Sequence, residues 1–432
     1  VIHQEDQPTA EVISNPDNTD LSSPPHVGEQ ASSEKEDIIP VLIHVLSLDT
    51  IGGVEALYIH YLQEALSRGT AIHFTSVCGK PPQKAFSEHF ESIGHRPFLE
   101  EYVCGVRLPR FLRSIVHIRR SMVQGIVNPT YWVFWNRIES QCPSGEAIYY
   151  EHGGAWNLAP TKGRRKFLAH CAHYIANSQA AAIMLKEKWH VNRPIHVIPN
   201  PLRPDIPIIE TPRKPPQGNV VRLGCIGRLV PVKGTLVALH ALKILLERGI
   251  NATLSIAGEG HLENTTRKLA DRLGITKSVI WNGRLSSITG WFDSIDILLV
   301  PSIREPLGLV ALEAAARGAP VIAAGVDGLP EAVLDKKTGL CLKPTIPLSA
   351  ARDLLLDVNG LPDLVVDPAS CQLRPPLVVD PSTYADAIEL LINDPTRYTE
   401  YSANAIIHAK SRSDFTAYYN ALSELFEKSV LL

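Results

Sequence analysis

Residues 300–333 read VPSIREPLGLVALEAAARGAPVIAAGVDGLPEAV, and the fold class turns on them. The stretch begins at the end of an apolar run, Ile295 to Val300, with the composition of a strand covered on both faces. A turn holding Pro301 and Pro306 follows, then a helix expected over Gly308 to Arg317, stopped by Gly318 and Pro320. A second apolar strand, Pro320 to Ala324, leads into a glycine-rich loop. Strand, loop, helix and strand form one βαβ unit. Its loop and helix N-terminus lie at the carboxyl edge of a parallel sheet, where open α/β sheets bind ligands. Two carboxylates, Glu305 in the loop and Glu313 on the helix, flank backbone amides suited to an anion.

The 432 residues are enough for two or three domains with a large core, and 45% apolar with 20% charged residues is ordinary for a globular chain. Residues 1–37 hold nine acids and one lysine, so behind the overall charge of −3 the remaining chain is mildly basic at +5. That excess is too small to indicate nucleic acid and better suits a local anionic site. Seven scattered cysteines, odd in number and without a CxxC pair, point to a reducing compartment rather than a disulfide framework. No apolar run reaches the roughly 18 residues of a membrane span. No basic-then-apolar leader opens the chain, so a cytoplasmic location is expected, with peripheral contact at the inner membrane face as an option.

Working outward, residues 1–37 read as a disordered acidic tail or linker. Residues 38–202 read as a first α/β half, opening with a strand from Ile38, the loop ending in Gly52-Gly53 and a helix from Val54 to Ser67. Within it, Arg107 to Arg120 mixes five arginines with apolar residues, a half-buried helix or a surface for anionic lipid. Trp132 to Trp135 and Ala147 to Glu151 are expected strands, the second delivering His152-Gly153-Gly154. Pro-rich residues 203–218 read as an interdomain linker. A second α/β half spans 219–412, opening with the strand Val221 to Ile226 and the loop Gly227-Arg228-Leu-Val-Pro-Val-Lys233-Gly234. Residues 346–381, with the similar segments LPDLVVDPAS and LRPPLVVDPS, read as an inserted surface loop. Helices over 382–393 and about 413–430 complete the chain, the last expected to cross back to the first half.

Five features fall where strands end and helices begin: Gly52-Gly53, His152, the Arg228/Lys233 loop, Gly258-Glu259-Gly260, and Glu305 with Glu313. Singly each is weak; their order across two α/β halves carries the argument. Arg228 offers a planar fork and Lys233 a point charge, and both can reach one diphosphate. Amides of Gly308, Leu309 and Val310 add the helix N-terminus to the same anion. Carboxylates beside a diphosphate are repelled by it, so Glu305 and Glu313 suit neutral hydroxyls at its two ends, one on a sugar and one on a ribose. The ligand so described is a nucleotide-sugar. No Asp-x-Asp pair occurs, so a divalent-metal clamp is not expected; Arg228 and Lys233 would stabilise the leaving group.

EPLGLVALE resembles the Glu-x7-Glu signature of retaining glycosyltransferase family 4, and GRLVPVKG its Gly-Arg-Leu…Lys-Gly diphosphate loop. AGEG, VIPNP and GGVE match in order and type, and the likeness covers about 38–345 and 382–432. The resemblance implies a GT-B fold, two Rossmann-like domains facing across a donor cleft, and sugar transfer from a nucleotide-diphosphate-sugar to a hydroxyl of a glycan, lipid-linked or small-molecule acceptor. It implies that Glu305 holds sugar hydroxyls and Glu313 the ribose, that Arg228 and Lys233 hold the diphosphate, that Gly53 approaches the phosphate from the other domain, that Gly52, Gly227 and Gly258 also belong to the donor-binding set, and that His152 meets the sugar near the reacting centre. The resemblance implies no cofactor beyond the donor itself. Two departures stand out: Pro201 follows Asn200 where the family has glycine, and Pro306-Leu307 follows Glu305. A nucleotide-sugar epimerase and a non-catalytic binding member are the alternative readings of the same fold.

Overall fold

The computed structural model describes residues 41–431 apart from 50–51, 70–72, 79–81, 93–97, 100–101, 104–105, 108–130, 143–145, 217–219 and 286. The acidic segment 1–37 and nearly all of Arg107–Arg120 therefore lie outside the described residues, as do residues 38–40 at the start of the expected first strand.

The first half is built on a seven-stranded sheet. In chain order its strands are β1 (Val41–Leu46), β2 (His73–Cys78), β3 (Phe98–Leu99), β4 (Tyr131–Trp135), β5 (Glu146–Glu151), β6 (His173–Ala176) and β7 (Ile195–Val197). They run parallel in the order β3-β2-β1-β4-β5-β6-β7. Parallel strands need crossover helices on both faces, which is why their sequences are apolar at consecutive positions. Alternation sorts the side chains. Ile43, Val45, Trp132, Phe134, Tyr149 and Tyr174 enter one core, under Trp156, Phe167 and Met184. Leu42, Leu46, Val133, Trp135, Ile148 and Tyr150 enter the other. That second face is covered by the helix Gly53–Ser67 and by the C-terminal helix Phe415–Leu431, which contributes Tyr418, Tyr419, Leu422 and Phe426.

The second half repeats the plan with six parallel strands: β8 (Val221–Ile226), β9 (Ala252–Ala257), β10 (Val279–Gly283), β11 (Ile297–Val300), β12 (Val321–Ala324) and β13 (Gly339–Leu342), ordered β10-β9-β8-β11-β12-β13. In each sheet the order reverses beside its first strand, between β1 and β4 and between β8 and β11. The carboxyl ends of those strands border a crevice suited to ligands. The doubly wound α/β expectation holds in both halves.

Three readings need correction or addition. The insertion 346–381 is not a surface loop. Ile346–Pro347 pairs with Leu377–Val378 and Val365–Asp367 with Gln372–Arg374, both antiparallel. Its two LVVD segments each bury a valine pair, Val365-Val366 and Val378-Val379. Apolar burial, which a short segment cannot achieve alone, is supplied here by the second half's core.

The 17-residue helix Pro395–Ser411 was not anticipated. Its buried face is Tyr398, Tyr401, Ser402, Ala405, Ile406 and Ala409, mostly small or hydroxylated residues that give little hydrophobic periodicity. Its start signal was nevertheless present, Asp394 capping ahead of Pro395.

The expected linker, described over residues 203–216, is bonded to the second half: Ile209 N donates to Ala316 O at 2.9 Å, and Arg213 donates to the carbonyls of Ile295 (2.6 Å) and Phe292 (2.9 Å).

Candidate donor site at the facing sheet edges

In the second half, β8 ends in the loop that carries Gly227 to Gly234. Pro231–Lys233 forms one 3-10 turn, and Gly234 sits at φ +63° with its Cα pressed on the chain leaving β11. A Cβ there would lie 1.9 Å from Pro301 O, so no other residue fits. Leu229 N donates to Glu259 O at 2.8 Å, lacing the Gly258-Glu259-Gly260 turn beside this loop. A Cβ on Gly258 would fall 1.9 Å from Gly227 O. Ile303 N donates to Val232 O at 2.8 Å, which brings the loop after β11 alongside.

These contacts place Lys233 Nζ 2.5 Å from Glu305 Oε2, where Ser302 Oγ also donates at 3.2 Å. Glu305 Oε1 has no hydrogen-bond partner among the described residues. Burial alone would raise the Glu305 carboxyl. The charges of Lys233 and Arg304 and the Ser302 hydrogen bond overcome that and hold its pKa below the usual range. Arg228, on the same loop, is exposed and makes no ion pair among the described residues. Of the two cations on this loop, Lys233 is engaged with Glu305 and Arg228 has no such partner among the described residues.

The helix Leu309–Ala316 begins immediately behind Glu305, with Gly308 at φ +91° as its N-cap. No side chain caps this end, so the amides of Leu309 and Val310 point outward unclaimed by a capping group. Glu313 is buried one turn further in, and Arg203 Nε, from the segment joining the halves, lies 3.3 Å from its Oε1. Burial pushes the Glu313 carboxyl up, against the pull of Arg203.

The first half supplies the facing wall. Gly52 is the N-cap of the helix Gly53–Ser67, and a Cβ on Gly53 would meet Leu309 Cδ1 at 2.9 Å. The two helix N-termini therefore approach each other. His152 follows β5 and is buried between Tyr150 and Trp135, the latter ring stacked at 5.8 Å and 9°. Burial lowers its pKa to about 3, so the imidazole is neutral. Its Nδ1 lies 3.4 Å from Asn200 Nδ2, and Nε2 has no partner among the described residues.

Several residues that shape this site carry no motif and were missed. Asn136 Oδ1 accepts from the amides of His152 (3.1 Å) and Gly154 (2.6 Å), fixing the turn. Glu151, fully buried, accepts the amides of Gly153 and Ala155 and the Tyr149 hydroxyl. Arg304 Nη1 crosses to Gly153 O at 3.3 Å, and Asp327 accepts the indole N–H of Trp156 at 3.0 Å. Glu331 accepts from Gln179 N and Ala180 N, capping a first-half helix from the second half. A carboxylate closing an apolar strand two residues ahead of a Gly-Gly turn, as Glu151 does ahead of Gly153-Gly154, was the available signal. For Asp327 and Arg304 the partners are distant in sequence, and only folding reveals them.

Among the described residues no cluster of three or more His, Cys, Asp or Glu is placed to hold a metal ion, and no helix is long and apolar enough to cross a membrane.

Two parallel doubly wound sheets, with glycine loops and an uncapped helix N-terminus meeting at their switch points, define the GT-B class of two-domain proteins. The family model for glycosyltransferase family 4 matches residues 51–206, and that for glycosyl transferases group 1 matches residues 210–357. The chain belongs to this family of glycosyltransferases. Among curated relatives, the D-inositol 3-phosphate glycosyltransferase of Corynebacterium efficiens is 31% identical over 212 residues, 47% of this chain and 42% of that protein. The Streptomyces scabiei protein of the same name is 37% identical over 149 residues, 32% of this chain and 33% of its own length. The chain thus matches less than half the length of these relatives. Among solved structures, Anabaena HepE in complex with UDP superposes with a TM-score of 0.65 at 17% identity, covering 90% of this chain and all of that one. WaaG, a glycosyltransferase involved in lipopolysaccharide biosynthesis, gives 0.62 at 14% identity, covering 89% and 99%.

Proposed function

We propose that the chain transfers a sugar, with retention at the anomeric carbon, from a nucleoside-diphosphate sugar to a hydroxyl acceptor in glycoconjugate biosynthesis. The observation that carries this reading is Glu305, a buried carboxylate kept ionised by Lys233 with one oxygen uncommitted. It lies just ahead of an uncapped helix N-terminus and is reached by Lys233 from the loop that also carries the exposed Arg228. An ionised acceptor-only group of this kind suits sugar hydroxyls. Arg228 and the amides of Leu309 and Val310 suit the diphosphate, with Gly52 and Gly53 allowing close approach from the opposite wall and Gly227 and Gly258 keeping the loop compact. Glu313, steadied by Arg203, is the group for the ribose. Neutral His152 can share a hydrogen bond near the reacting carbon without adding charge to it. As the bond between sugar and phosphate breaks, negative charge grows on the diphosphate, and Arg228 with the helix N-terminus stabilises it where it forms. Lys233 stands close enough to add its charge once the ligand competes for it. The leaving group then needs no metal clamp, and transfer should persist in EDTA.

A thermal-shift panel of UDP, GDP and ADP, then of their sugar conjugates, tests the donor. UDP leads because the fold neighbour HepE binds it. A ligand at 100 times its dissociation constant stabilises by about 2.7 kcal/mol, a readable shift. Release of nucleoside diphosphate on adding an acceptor supports transfer. Interconversion of the sugar with no acceptor would instead establish an epimerase, and the absence of any nucleotide shift would remove the donor assignment.

A further inference from the structure

Asp327 lies in the loop after β12, 1% exposed, and it holds a left-handed backbone at φ +48°. Such a conformation is uncommon outside glycine, and aspartate is one of the few side chains that adopt it readily. Its two oxygens take three N–H donors from three parts of the molecule. Oδ2 accepts Glu305 N at 3.0 Å, from the donor-site loop. Oδ1 accepts Trp156 Nε1 at 3.0 Å, from the first half, and Val366 N at 2.7 Å, from the insertion. Asp327 N donates in return to Val366 O at 3.0 Å, so the insertion is bound on both sides of one residue. The insertion's two short strands at Val365–Asp367 and Gln372–Arg374 also pack on the first-half helix Gln179–Glu187.

We propose that Asp327 is the positioning residue of the donor site, fixing the backbone of Glu305 only when the first half and the insertion are both docked on it. This rests on Glu305 serving the donor sugar. The chemistry is directional. Three N–H groups converge on two carboxylate oxygens, and an amide cannot reproduce this. Asp327→Asn can keep its oxygen toward Trp156 and Val366, but it then turns an N–H₂ donor on the Glu305 amide. The damage falls on the Glu305 backbone while Arg228, Lys233 and the helix N-terminus stay as they are. Glu305 places the sugar rather than the diphosphate, so the loss belongs in turnover and not in nucleotide affinity. Trp156→Phe leaves the aspartate intact and removes only the first half's claim on it.

Amide exchange by mass spectrometry on the full chain tests this without any ligand. In Asp327→Asn, the peptide spanning residues 303–307 should exchange at least about tenfold faster, with the β11 peptide 297–300 unchanged. In Trp156→Phe the same 303–307 peptide should quicken by about threefold. Unchanged exchange at 303–307 in either variant overturns the proposal, and so does an equal rise in β11, which would mean general loosening. In the transfer assay, Asp327→Asn should lower kcat at least about tenfold with UDP affinity within about threefold of wild type. Parallel losses in both would show a structural role only. If the wild type binds none of UDP, GDP or ADP, the donor reading fails, while the exchange arm still decides the role of Asp327.

Discussion

Glu305 shows how burial and pairing together set a functional group. Removed from water, its carboxyl would gain a proton; Lys233 at 2.5 Å and the hydroxyl of Ser302 prevent it. The same ion pair leaves Arg228 as the loop's uncommitted cation. Replacing Arg228 with alanine should reduce transfer at least about 100-fold, the scale of losing one preorganised charge at a developing oxyanion. Glu305→Gln should fall by a similar factor, because the amide can neither hold Lys233 nor accept on both oxygens. Steady-state rates with saturating donor check both, and near-wild-type turnover in the two variants would remove the site assignment. His152 differs in kind. Enclosed by aromatic rings, it has its pKa lowered by burial to about 3, so what it can offer a ligand is a hydrogen bond and not a charge.

At the scale of the element, the helix Leu309–Ala316 of the proposed donor site is marked by an N-terminus left without a side-chain cap. Gly308 provides no side chain to cap it, and its left-handed backbone at φ +91° is one that glycine adopts without strain. The helix Pro395–Ser411 does the opposite. Asp394 Oδ1 accepts from Arg397 N at 3.0 Å, and Tyr398 Oη donates to Asp296 O at 2.8 Å, so this helix is closed and load-sharing with the sheet. Asp394→Ala should destabilise the second half by about 1 kcal/mol, the usual worth of such a cap. Chemical denaturation would show it as a lower midpoint at unchanged slope. No change in midpoint would mean Pro395 alone suffices to start the helix.

Across the whole molecule, the C-terminal helix Phe415–Leu431 is part of the first half's core although it follows the second half in sequence. Leu422 is fully buried beside Trp135 and Tyr150, and Tyr418 Oη lies 3.3 Å from Tyr150 Oη. Leu422→Ala should therefore cost about 2–5 kcal/mol, as other large-to-small core changes do. The loss should register as faster amide exchange in β1, β4 and β5. A loss confined to residues 415–431 would refute the shared core. Arg412, just ahead of this helix, donates to Asn200 O at 2.9 Å, so the returning chain also grips the crossing point beside His152.

What the amino-acid order determined by itself was local: strands, helices, glycine turns and the loops that carry Arg228, Lys233, Glu305 and His152. These follow from hydrophobic period, cap chemistry and positive-φ glycines, all written over a few consecutive residues. The family pattern in EPLGLVALE added the donor class proposed above. Three things were decided only by tertiary structure. Lys233 spends its charge on Glu305, 72 positions away. Arg203 in the joining segment steadies Glu313. Asp327 gathers Glu305, Trp156 and Val366 on one carboxylate. Each depends on groups brought together by burial from separate elements. No periodicity records such contacts, because a carboxylate's partner is set by which desolvated donor lies nearest in space.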